Sequence, residues 1–169
     1  MQLSQFLNFA AKHPKSNKTN IPYGTAGFRY LAVELDSVLF RMGALASLRS
    51  SFKKGSAIGL VVTASHNPEE DNGVKIIDPF GEMLESSWES IATNLANAED
   101  SDVQPFISSI SDEFSAIEKG LVFVARDTRK SSEQLAGAAI DGVRAVGGEA
   151  VDFGLLTTPQ LHFIVSIVF

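Results

Sequence analysis

The sequence predicts an α/β domain, and three observations carry that prediction. Stretches with apolar residues at helical spacing alternate with short apolar runs of strand length, the pattern of a sheet covered by helices. One of those runs, residues 57–64, is apolar almost throughout and bounded by polar residues, as a strand buried on both faces requires. The 169 residues are 44% hydrophobic and 20% charged, a globular composition in a length that suits one domain.

Leu3, Phe6, Leu7 and Ala10 fall on one helical face, and Pro14 closes that segment. Residues 21–29 are glycine-rich and read as extended or looped chain. A second helix is expected from a cap at Asp36 or Ser37 to about Gly55, with Leu39, Met42, Ala46 and Phe52 facing inwards. The strand at 57–64 runs into an irregular loop beginning at Ser65. A further strand at 74–77 then meets a turn at Asp78-Pro79-Phe80-Gly81. Residues 85–98 read as a helix through Trp88, Ile91 and Leu95. The acidic, polar residues 99–104 read as a surface loop, and Ile107, Ile110, Phe114 and Ile117 mark an amphipathic helix after it. A strand is expected at 121–125. The next helix has Ser131 or Ser132 as its cap and Leu135, Ala139 and Val143 inwards, and Gly147-Gly148 ends it. Residues 150–153 form a last strand, and Pro159 opens a short last helix.

Fourteen basic residues face 20 acidic ones, for a formal charge of −6, which argues against a broad nucleic-acid-binding face. The absence of cysteine excludes disulfide and thiolate chemistry. It fits a reducing compartment, and with no basic start followed by an apolar run, a cytoplasmic location is expected. No run approaches the about 18 apolar residues of a membrane span, so no membrane partner is expected. Residues 163–169, apolar apart from Ser166, make an unusual tail.

Chemistry concentrates in three segments. Thr63-Ala64-Ser65-His66-Asn67-Pro68 follows the most apolar strand, where ligands bind in open α/β sheets. On its residues alone this is also an ordinary Ser-Asn-Pro turn. Tyr23-Gly24-Thr25-Ala26-Gly27-Phe28-Arg29 has glycines that permit close backbone approach, followed by an arginine whose fork suits phosphate. It lacks the Gly-x-Gly-x-x-Gly spacing of a dinucleotide fingerprint. Val124-Ala125-Arg126-Asp127-Thr128-Arg129 ends a strand, and Asp127 is placed to orient one of its arginines or simply to pair with it at the surface. A serine–histidine hydrolase is disfavoured, because the Gly-x-Ser-x-Gly elbow is missing and neighbours in extended chain point to opposite sides. The consecutive carboxylates from Glu69 to Asp71 read as a solvated loop, and Asp100 and Asp102 lack a third metal ligand.

Together these segments resemble the α-D-phosphohexomutase superfamily, over about residues 23–162. The hexapeptide from Thr63 to Pro68 is similar to its active-serine signature. Residues 69–76, with Asp78-Pro79 and Gly81-Glu82-Met83, resemble the amino-sugar branch more than the glucose or mannose branches. The resemblance implies the superfamily's first domain, a three-layer fold with a mixed sheet between helices, over residues 1–162. It implies that Ser65 carries a phosphoryl group, with Lys75 beside it to neutralise charge or donate a proton. Arg29, His66, Asn67, Arg126 and Arg129 become candidate phosphate contacts. In the Arg126 segment Ala125 replaces the usual glycine, and Gly154 to His162, with Thr157-Thr158-Pro159, resembles a Thr-Pro segment whose role is capping.

The implied reaction interconverts N-acetylglucosamine 6-phosphate and 1-phosphate through a hexose bisphosphate intermediate, feeding UDP-N-acetylglucosamine synthesis. The implied cofactor is Mg2+, held in the family by the serine phosphate and an aspartate-rich loop of a later domain. Here only Ser65, through its phosphate, is a ligand. Domains 2–4 of the family have no counterpart in this sequence, so little mutase activity is expected of the chain alone. A mutase of the glucose or mannose branch, or a non-catalytic remnant that binds phosphate or a partner, stands as the alternative.

Overall fold

Residues 36–52 carry small and apolar side chains on every side, and the helix they form, α2 (Asp36–Phe52), is buried all round from Ser37 to Ser50. Such a helix belongs in a middle layer. The computed structural model describes residues 3–113 and 118–168. Ahead of α2 come α1 (Leu3–Ala10), β1 (Phe28–Leu31) and a 3-10 turn; after it come β2 (Ile58–Val62), β3 (Asp71–Ile77), α3 (Ser86–Asn97), α4 (Asp100–Glu113), β4 (Leu121–Arg126), α5 (Ser132–Ala145), β5 (Glu149–Leu155) and α6 (Thr158–Ile167). The sheet order is β1-β3-β2-β4-β5. β3 runs antiparallel to β1 and β2, and β2, β4 and β5 run parallel, so the sheet is mixed.

Alternation along the strands sorts the two faces. Leu60, Val62, Val74, Ile76, Val122 and Val124 pack beneath α2 and α5 in the larger core. Val61, Ile77, Phe123 and Ala125 face the other way and are covered by Leu161 and Val165 of α6. Helices therefore lie on both faces, as expected. α2 and α5 cross backbone to backbone: a Cβ on Gly43 would sit 1.9 Å from the Ala139 carbonyl oxygen, and one on Gly142 1.8 Å from that of Phe40. Residues 163–167 continue α6, with Val165 buried.

Several boundaries differ from the sequence reading. The glycine-rich stretch delivers a short strand, β1, because Phe28 and Arg29 find partners in Val74 and Gly73. Neither Asp36, Ser37, Ser131 nor Ser132 caps a helix with its side chain; Leu35 and Ser131 hold the N-cap positions with no side-chain bond. The supposed loop at 99–104 is mostly the start of α4. Asp100 and Asp102 lie in its first turn, where carboxylates suit the helix dipole. Asp100 also accepts from Arg41 at 2.8 Å and from the Lys15 amide at 3.0 Å. Phe114 and Ile117 lie outside the described residues. His13 docks the chain after α1, its ring nitrogens 2.7 Å from Asp36 and 3.3 Å from Asp141. The Asp36 bond, with burial opposing it, raises the His13 pKa.

Candidate functional site

β2 and β4 are parallel, so their carboxyl ends emerge side by side and two loops meet there. The Thr63 amide extends the β2–β3 ladder by donating to Gly73 O at 3.0 Å, and the Asp127 amide extends the β2–β4 pairing by donating to Val62 O at 3.0 Å. Pairing places Arg29 opposite Gly73 and Lys75 opposite Val61. Arg29, Thr63 and Lys75 thus share the face that α6 covers. The register demands a glycine at 73: a Cβ there would stand 2.3 Å from Phe28 O and 2.9 Å from Thr63 O.

Thr63 is buried, and two residues later Ser65 is exposed. Their hydroxyl oxygens lie 3.1 Å apart, and Thr63 donates to Asp127 Oδ2 at 2.9 Å. Asp127 Oδ1 accepts from the Ser132 hydroxyl at 2.6 Å and the Arg129 amide at 3.0 Å. Burial would raise the Asp127 pKa, but these bonds and the nearby Arg129 charge outweigh it and hold the carboxyl below its ordinary value. Asn72, also buried, donates to the Ser131 and Ser132 hydroxyls at 2.8 and 3.0 Å, which ties β3 to the start of α5.

Arg129 departs from the expectation of a phosphate contact. Its Nη1 donates to Pro68 O and Asp71 O at 2.6 and 3.1 Å, and its Nη2 to Ala64 O and Asn67 O at 2.5 and 3.0 Å. Its Nε lies 3.4 Å from Asp127. With its donors committed, Arg129 is the keystone of the serine loop. Asn67 is likewise engaged, its amide donating to Asp71 Oδ2 at 3.0 Å. Four carbonyls converge on one cation, which fixes the course of the loop around Ser65.

Ser65, His66, Lys75 and Arg126 line one open cavity of about 540 Å³ with Thr63, Asp127 and the start of α6. Burial, then the charge of Arg29, lowers the Lys75 pKa. The Arg126 guanidinium lies 3.5 Å from exposed Glu133. The far wall is the N-terminus of α6, where Thr157 and Gln160 form a reciprocal capping box and Pro159 sits in the first turn. The Thr157 segment therefore caps, as expected, and also presents a helix N-terminus to the cavity. The structure gathers Ser65, His66, Lys75 and Arg126 in one cavity, sets Arg29 beside Lys75, and assigns Asn67 and Arg129 to the loop itself.

The family described as phosphoglucomutase/phosphomannomutase, alpha/beta/alpha domain I, matches residues 31–103 and 99–168. The chain belongs to this family. It is 54% identical over 167 residues to the phosphoacetylglucosamine mutase of Homo sapiens, covering 98% of this chain and 31% of that protein. Two crystal structures of Aspergillus fumigatus N-acetylphosphoglucosamine mutase superpose on it. One, in complex with glucose 1,6-bisphosphate, has a TM-score of 0.93 at 41% identity and covers 96% of this chain and 30% of that one. The other, in complex with GlcNAc-6P and magnesium, has a TM-score of 0.89 at 44% identity over the same shares. The chain thus corresponds to the N-terminal domain of phosphoacetylglucosamine mutases and spans about a third of the relatives' length.

Within this phosphohexomutase domain, sequence reasoning missed Thr63 and Asn72 as members of the serine-loop network. The signal was present for Thr63, two residues from Ser65 and able to bond across to the next strand's loop. The Asn72 link needs the fold. No group of three or more His, Asp or Glu that could hold a metal ion converges among the described residues. No helix among the described residues is long and apolar enough to cross a membrane.

Proposed function

We propose that Ser65 is the phosphoryl carrier of a mutase that interconverts N-acetylglucosamine 6-phosphate and 1-phosphate. The observation that carries this reading is the exposed Ser65 at the carboxyl end of the central strand, on a loop whose carbonyls are bound by Arg129. A phosphoserine carries about −1.5 to −2 charges and demands cations and amide donors. Lys75 and Arg126 supply the cationic rim and His66 a ring nitrogen for hydrogen bonding, with Arg29 beside them and the α6 N-terminus opposite. Catalysis of phosphoryl transfer rests on positioning and charge stabilisation, which such a rim provides.

Phosphoserine 65 donates to the free hydroxyl of the sugar monophosphate and gives a sugar bisphosphate. The bisphosphate presents its other phosphate, and Ser65 recovers a phosphoryl group. Lys75, with its pKa lowered by burial and by Arg29, is suited to exchange a proton with the sugar oxygen. The ligands of the Aspergillus fumigatus enzyme, glucose 1,6-bisphosphate and GlcNAc-6P, are the two kinds of sugar phosphate this cycle needs. Magnesium, when bound, supplies charge neutralisation at the phosphoryl group, and Ser65 through its phosphate is the ligand this chain contributes.

More than two thirds of the relatives' length lies outside the match, so the expected behaviour is phosphoryl uptake without efficient turnover. Incubation of the 169-residue chain with glucose 1,6-bisphosphate, followed by intact mass, tests this. A gain of one phosphoryl group is expected. No gain by a chain shown to be folded favours a non-catalytic remnant.

A further inference from the structure

The Thr63 hydroxyl stands between Ser65 Oγ, at 3.1 Å, and Asp127 Oδ2, at 2.9 Å. An ionised carboxylate only accepts hydrogen bonds, and a threonine hydroxyl has one proton to give. That proton goes to Asp127. The Thr63 oxygen is then an acceptor towards Ser65, and Ser65 must be the donor of the 3.1 Å bond. The chain of donation therefore runs one way, from Ser65 to Thr63 to Asp127. Its inner end is fixed, because the other Asp127 oxygen is held by Ser132 and the Arg129 amide. Thr63 is 3% exposed, so the middle of the path is shielded from solvent, while Asp127 at its end is partly exposed. Among the described residues Thr63 is the sole hydrogen-bond partner of the Ser65 hydroxyl, which leaves the serine lone pairs directed at the cavity.

We propose that Thr63 relays the Ser65 hydroxyl proton to Asp127 when a phosphoryl group is transferred to the serine. This rests on the reading of Ser65 as phosphoryl carrier. The Ser65 Oγ–P bond forms as the P–O bond to the sugar of the bisphosphate breaks. The electron pair of that bond leaves on the sugar oxygen, which takes a proton from Lys75 or solvent. The Ser65 proton passes to Thr63 Oγ1 as the Thr63 proton passes to Asp127 Oδ2. In the reverse step the same path returns a proton to Ser65 as its phosphoryl group departs. A weak carboxylate base is adequate, because the loose transition state of phosphoryl transfer asks little of the nucleophile, and protein kinases also use an aspartate there. Phosphorylation leaves Ser65 Oγ without a proton to donate, so donation from Ser65 to Thr63 exists only in the dephosphorylated form.

The test is the rate of phosphoryl uptake from glucose 1,6-bisphosphate by the 169-residue chain, followed by intact mass and expressed per folded molecule. Thr63→Val keeps the side-chain shape and removes the relay; Asp127→Asn keeps the shape and turns an amide donor towards Thr63, which reverses the chain. Both are expected to slow uptake by ~10²-fold or more, the scale of a lost general base. Thr63→Ser restores most of the rate. Uptake by Thr63→Val at the wild-type rate, or a Thr63→Ser variant as slow as Thr63→Val, overturns the relay alone. Should Thr63→Val fail to fold, Asp127→Asn at the wild-type rate does the same. No uptake by the wild-type chain overturns the carrier reading and the relay with it.

Discussion

At the end of the sheet away from Ser65, Arg49 grips Asp78 from two nitrogens, Nε at 3.0 Å and Nη2 at 2.5 Å. Both side chains are almost fully buried, and the guanidinium lies 4.7 Å from the Trp88 ring centre. At the serine end the Arg129 guanidinium approaches the Asp127 carboxylate only to 3.4 Å, and both side chains remain partly exposed. The residue types are the same and the uses differ. Arg49 commits Nε and Nη2 to Asp78, with Glu85 adding a third contact at 3.0 Å, while its Nη1 has no hydrogen-bond partner among the described residues; the pair joins α2 to the chain that follows β3. Arg129 and Asp127 spend little on each other. The arginine collects loop carbonyls, and the aspartate collects hydroxyl protons. A pair closed on itself supports the fold; a pair opened outwards shapes a loop and leaves a hydroxyl directed at a cavity.

Two substitutions bear on that contrast. The larger effect belongs to Arg49→Ala, which strands a buried carboxylate. A loss of about 3–5 kcal/mol in unfolding free energy is expected from urea titration, the scale for breaking a buried pair. Phosphoryl uptake at Ser65 per folded molecule should be unaltered, and a fall there would erase the distinction between the two ends. The smaller effect on stability belongs to Arg129→Lys. Lysine offers three donors from one point in place of a planar fork, so at least one of the four carbonyls loses its partner. A stability loss of about 1–3 kcal/mol is expected. Uptake should fall by ~10–100-fold per folded molecule, since small displacements of a reacting group are costly. Normal uptake in this variant would reduce Arg129 to a second Arg49.

The contrast also separates what the sequence disclosed from what it concealed. Local patterns were legible: the buried run at 57–64 became β2 at the centre of the sheet, and the chain after it became the serine loop. The helical spacing of α1, α3 and α5 needed no tertiary information. The acidic run at 99–104 misled because the same residues suit a solvated loop and a helix first turn. What decides is Arg41, which caps the end of α3 through Ala96 O and Ala98 O, both at 2.8 Å, and then holds Asp100. β1 was obscured by its glycines, although the close approach to β3 depends on one at position 73. The role of Arg129 was illegible for a related reason. An arginine after a strand reads as a free phosphate fork, whereas its partners are backbone oxygens of residues about sixty positions away in the chain. Backbone acceptors are present at every residue, so no side-chain pattern announces them.

The central claim is that this end of the sheet makes Ser65, and no other hydroxyl, the carrier of the phosphoryl group. Peptide mapping of the chain and of its Ser65→Ala variant, after incubation with glucose 1,6-bisphosphate, tests it most directly. The account predicts phosphate on the peptide containing Ser65 in the natural chain and none anywhere in the variant. Phosphate on a different residue, or equal labelling of the variant, would contradict it.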